Sequence, residues 1–161
     1  MGNFLSFPIL VLAAILQATL VPQIRLLGGG PDLVYLLVLS WAINAEIDSA
    51  VLWAFVGGIS VDLLSNQPTG TSVIGMLLLV FTISGIGQQV YRIGIVVLVG
   101  LVIIGTIVQQ VIILLIVMLT GQPVDLLLSV GYIIAPTILY NLAFILPIYW
   151  FIRMIQGRLE R

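Results

Sequence analysis

The chain has no cysteine and no histidine. Thiol nucleophiles, disulfides, imidazole bases and metal sites built on those ligands are therefore excluded. Charge is scarce as well. Six acidic and five basic residues make up 7% of the 161 positions, where soluble domains carry about 25%. So few charges cannot cover a water-facing surface, which excludes an ordinary cytosolic domain, a disordered chain and a coiled coil. The basic residues are all Arg and widely scattered, and the net charge is −1. That leaves no footprint for nucleic acid. What is present is apolar: 61% of the residues are hydrophobic. The class that remains is an all-α integral membrane protein with a single transmembrane domain over residues 1–161.

A spanning helix needs about 20 apolar residues, so the charges mark out the spans. The expected helices are about 4–22, 31–44, 49–65, 71–87, 93–119 and 126–152, a compact bundle of six. The first segment has no basic leader and no small-residue cleavage site, and reads as a retained anchor. Gly28-Gly29-Gly30-Pro31 is the clearest break. Pro31 suits the first turn of a helix, and Asp32 suits the positive end of its dipole. Barrel strands are excluded because the apolar runs are continuous and do not alternate. Segments two and three are short. Thirteen residues separate Asp32 from Glu46, and thirteen separate Asp48 from Asp62. Each run rises only about 20 Å of a roughly 30 Å hydrocarbon core. The reading favoured is two short crossing helices with their carboxylates just below the headgroups. With six spans, Arg92, Arg153, Arg158 and Arg161 fall on one side and Arg25 on the other. This bias places both termini in the cytoplasm.

Three constellations stand out. Ala50, Ala54, Gly58 and Asp62 recur every four residues and line one helix face, widened by Gly57. Small residues at that spacing let helix backbones approach closely. The face is either an internal packing seam, the favoured reading, or a groove for a partner helix. Leu79 is expected to face lipid. Asp32 and Asp62 fall near the same membrane face as Arg25. Capping for Asp32 and an ion pair to Arg25 are the favoured roles. A proton relay is disfavoured, because no ionisable residue lies in the middle of the other spans. The deep amides Gln17, Gln109, Gln110 and Asn141 must find partners in a dry bilayer. They act as interhelical glue or line a small-molecule pocket. Gly28-Gly29-Gly30 lacks the Lys-Ser/Thr of a phosphate loop. No cofactor and no enzymatic activity is expected.

Pro31-Asp32-Leu33, then Gly57-Gly58-Ile59-Ser60-Val61-Asp62-Leu63-Leu64-Ser65 and Gly70, together resemble the rod shape-determining protein MreD family. That family's pattern is a Pro-Asp-Leu start, then Gly-x-x-x-Asp-Leu-x-Ser and a nearby Leu-Gly. The chain departs from it at Asn66, where Gly is expected, and at Thr69, where Leu is expected. The resemblance implies a multi-pass protein of the bacterial inner membrane, a non-enzymatic scaffold of the cell-elongation machinery. The implied partner is an MreC-like bitopic membrane protein. Through it, the scaffold would act on peptidoglycan synthesis by RodA and a class B penicillin-binding protein. The implied fold is similar to the S subunits of energy-coupling-factor transporters. The alternative function is therefore a vitamin-binding S subunit, holding its ligand through Gln17, Trp41, Gln109, Gln110 and Asn141. Pro31, Asp32, Ala50, Ala54, Gly57, Gly58, Asp62, Gly70 and Arg25 are the candidate structural or partner-binding residues.

Overall fold

The computed structural model describes residues 2–25, 28–87 and 94–159. Six helices and no strand occur among them: α1 (Gly2–Ile24), α2 (Leu33–Asn44), α3 (Ile47–Leu64), α4 (Thr71–Gly87), α5 (Ile95–Leu119) and α6 (Leu126–Leu159). α1, α3, α5 and α6 are long and apolar enough to cross a membrane, whereas α2 and α4 are shorter. The polar joint at 88–92, including Arg92, and the terminal Arg161 lie outside the described residues.

α2 is as short as the charge spacing implied. Its twelve residues rise about 18 Å, well short of the hydrocarbon core. Yet nine of the twelve are buried, in an unbroken run from Val34 to Ala42. α1, α3, α4 and α6 all pack against it. A helix apolar on every face is stable where protein surrounds it, and α2 is the interior post of the bundle. α3 lies close to the expected 49–65, with Asp62 in its last turn.

α6 runs seven residues past its expected end at 152. Ile152, Ile155 and Leu159 share one helical face and pack on the core. Arg153 and Arg158 stay exposed. The Gln156 side chain donates to the Trp41 carbonyl at 3.2 Å, tying the end of α6 to α2. At the same end Trp41 stacks on Trp53, with centroids 4.1 Å apart and planes 6° from parallel. The Trp41 indole N–H donates to Ser49 Oγ at 2.9 Å. Leu79 does not face lipid. It is 7% exposed and belongs to the core, whereas its neighbour Leu78 is 48% exposed.

Candidate functional site

The motif residues of α3 build a helical hairpin. Ala50, Ala54, Gly57 and Gly58 are all buried. A Cβ on Gly58 would come 2.6 Å from Val73 Cα and 2.8 Å from Val73 N, so the backbone of α4 lies directly on this glycine. Gly57 faces the other way, toward Val34 and Val38 of α2. The small-residue stripe is therefore an internal seam. No groove for a partner helix remains there, because α4 fills it.

One turn further along, Asp62 is 2% exposed. Its Oδ2 accepts the Gly70 N–H at 2.7 Å, and its Oδ1 accepts the Ser72 N–H at 3.1 Å. These donors sit at the start of α4, where backbone N–H groups lack intrahelical partners and the helix dipole favours negative charge. Gly70 has φ +101°, a conformation that favours glycine. Ser65 Oγ accepts from Gln67 N within the turn. The Gly-x-x-x-Asp…Gly spacing thus has a physical cause. Glycine lets α4 approach, the acid caps α4 from α3, and the second glycine makes the turn between them. No ion pair forms among the described residues, so the expected Arg25–Asp62 pair is replaced by this cap. The acid anchors the α3–α4 hairpin.

Asp32 is the N-cap of α2, and Pro31 precedes the cap where the first turn had been expected. Its Oδ1 accepts from Tyr35 N at 3.2 Å, and its Oδ2 accepts from Gln109 Nε2 at 3.4 Å. Three of the four deep amides converge here. Asn141 Oδ1 accepts the Asp32 N–H at 2.9 Å, and Gln17 Oε1 accepts the Val34 N–H at 3.0 Å. Asn141 Nδ2 in turn donates to Thr106 Oγ1 at 3.0 Å. Side chains from α1, α5 and α6 therefore satisfy the start of the buried α2. They act as glue, on backbone N–H groups, the Asp32 carboxylate and the Thr106 hydroxyl, and not on one another. Trp41 sits nine residues along α2, about 13 Å away. The vitamin-site grouping thus loses Trp41 to the opposite end, and the Asn141 and Gln17 oxygens to the backbone.

The glycine loop docks on α6. Gly28 N donates to the Tyr132 carbonyl at 2.9 Å. That carbonyl lies one turn before Pro136, which has no N–H to return. The surrounding turn, Val130–Ile134, is π-helical. A Cβ on Gly29 would stand 2.8 Å from Thr137 Oγ1 and 2.9 Å from Pro136 Cβ, so only glycine allows this contact. The Tyr140 hydroxyl donates to the Ile24 carbonyl near the end of α1.

Between these parts lies a cavity of about 300 Å³. Asp32, Arg25, Gln17, Gln67, Gln109 and Gln110 all contribute to its wall. Arg25 is exposed at this end. Ser72 and Thr137 line the cavity too, which places the Asp62 cap beside the Asp32 cluster. The structure thus brings Arg25, Pro31, Asp32 and the Asp62 cap to one end, with Ala50, Ala54, Gly57 and Gly58 in the seam leading to it. Sequence reasoning missed Ser72, Thr106, Gln67 and the use of Pro136. Only Pro136 carried a signal, as a proline inside an apolar helix.

A bundle with four membrane-length apolar helices around a buried post defines an integral membrane protein. The family model of the rod shape-determining protein MreD matches residues 1–156, and the chain belongs to that family. Its role is in rod shape determination, in association with the shape-determining machinery. No match was found among curated proteins or among solved structures.

Proposed function

We propose that the protein is a non-enzymatic scaffold of the bacterial inner membrane. It binds an MreC-like bitopic protein within the bilayer and thereby supports regulation of peptidoglycan synthesis by RodA and its penicillin-binding partner. The match to the MreD family over nearly the whole chain carries this reading. The use of the small-residue stripe inside the fold supports a particular mode. The remaining surfaces for a membrane partner are outward apolar faces, such as Leu12, Ile15 and Leu20 on α1 or Ile104, Ile107 and Val111 on α5. Co-purification with the MreC-like protein of the same host tests it, and a stoichiometric complex in mild detergent is the expected result. A protein that emerges alone, carrying a stoichiometric vitamin, would overturn the scaffold in favour of a transporter S subunit.

Both termini are proposed to be cytoplasmic. Arg153 and Arg158 are exposed near the end of α6, and Arg25 lies at the other end of α1 from the amino terminus. The positive-inside rule then orients the bundle. Cytoplasmic reporters fused at each end should both be active. An external signal from only one terminus would mean an odd number of crossings, and from both an inverted bundle.

A further inference from the structure

Arg25 is a cation without a counter-charge. Among the described residues no ion pair and no hydrogen bond holds its guanidinium. The two acids at its end of the bundle are committed elsewhere. Asp62 caps α4, and Asp32 accepts from Tyr35 N and Gln109 Nε2. The arginine side chain is nonetheless placed. A Cβ on Gly30 would stand 3.1 Å from Arg25 Cγ and 3.9 Å from its Nε, so the stem lies across the bare backbone of the glycine loop. A stem packed in this way leaves its charged head at the surface.

Arg25 also lines a second cavity, of about 410 Å³, between α1 and the end of α3. Gln17, Ser65, Asn66 and Gln67 supply the rest of its polar wall, and no acid lines it among the described residues. One positive charge among neutral amides and a hydroxyl suits a single anion with several oxygens. The remaining wall is apolar and includes Ala14, Ala18, Val61 and Leu64. Ala18 lies about 10 Å along α1 from Arg25. α1 and α3 are both long and apolar enough to cross a membrane. The cleft between them therefore runs from a cation at the helix ends toward the hydrocarbon, as an anionic lipid requires.

We infer that this cleft binds an anionic phospholipid. Its phosphodiester meets Arg25, its headgroup hydroxyls lie at the Ser65–Gln67 turn, and the start of an acyl chain lies along Ala18 and Leu64. A zwitterionic lipid offers the same phosphate but brings an ammonium, and both nearby carboxylates are already occupied. The site does not depend on the protein partner and stands whether or not MreC-like binding is found.

Charge on the headgroup gives the test. The purified full-length protein is equilibrated with equal amounts of dioleoyl phosphatidylglycerol and dioleoyl phosphatidylcholine, and retained lipid is read by native mass spectrometry. Phosphatidylglycerol should be retained over phosphatidylcholine by about tenfold, the order expected when an ammonium is brought beside Arg25 with no carboxylate to meet it. Arg25→Gln should cut that preference to about twofold or less, with little loss of stability because the residue is exposed. Asn66→Asp places an acid in the same wall, at an exposed turn, and should cut it to about threefold or less. Replacing Arg153 and Arg158 together by Gln should leave the preference unchanged, since they lie at the other end of the bundle. Equal retention of the two lipids overturns the inference, as does a preference that survives both cleft variants. A preference that is lost with Arg153 and Arg158 overturns it too, and moves the lipid to the other membrane face. Retention of neither lipid overturns it and leaves Arg25 to an acidic group of a protein partner. Free glycerol 1-phosphate at equal concentration should not displace the lipid. Displacement would mean that the apolar wall contributes nothing, and would replace the lipid by a soluble anion.

Discussion

Asp62→Ala is expected to lower the stability of the folded protein by about 3 kcal/mol, because two N–H groups at the start of α4 lose a charged acceptor and are left buried. The Asp62 carboxylate accepts from both Gly70 and Ser72, and the residue is 2% exposed. Asp62→Asn should cost about half as much, since its amide oxygen still accepts while its NH2 group turns toward a second donor. Denaturant or thermal unfolding of the purified protein in detergent gives these values. Arg25 is the discriminating control. Were it the partner of Asp62, the two losses would be coupled. The backbone cap predicts instead that Arg25→Gln has a small effect, and that the double variant is additive within about 0.5 kcal/mol. A strongly subadditive cycle would restore the ion pair and sink the cap as the dominant interaction.

Gly58→Leu should have the other large effect, exceeding the about 1–3 kcal/mol usual for overpacking. The reason lies in what the new side chain meets. A Cβ at Gly58 would meet the backbone atoms Val73 Cα and N at 2.6 and 2.8 Å, which cannot rotate away. α3 and α4 must separate, and the Asp62 cap one turn on is pulled open with them. Even Gly58→Ala should be measurably destabilising. Gly57→Ala should be milder, because its nearest atoms are the side-chain methyl groups Val34 Cγ1 and Val38 Cγ2. Leu78→Ala, at an exposed position of α4, is the neutral comparison. A Gly58→Leu protein with unchanged yield and unfolding midpoint would show that the α3–α4 seam is loose.

Much of the architecture follows from local chemistry in the chain. The shortage of charge left a membrane as the only solvent. Gly28–Pro31, Asn66–Gly70 and Gly121–Pro123 cut the apolar sequence into helices close to those observed. The four-residue recurrence of Ala50, Ala54, Gly58 and Asp62 placed them on one face because helix geometry alone decides that. Charges misled where they were taken as helix ends. Arg153 and Arg158 sit inside α6, since an Arg can reach outward from a helix whose other face is apolar.

Tertiary structure alone decided what each of those faces and polar groups meets. Nothing in residues 33–44 says whether the helix meets lipid or protein, because it is apolar on every side. The difference is whether neighbours surround it, and α1, α3, α4 and α6 do. The partners of Asp62 are backbone N–H groups eight and ten residues later, and that of Asn141 is a backbone N–H 109 residues away. Every residue except proline carries such a donor, so it leaves no mark in the sequence. A search for a matching side chain therefore led to Arg25. Only the folded chain shows which donors lie within reach, and so turns a presumed ion pair into a helix cap and a set of scattered amides into one polar chamber.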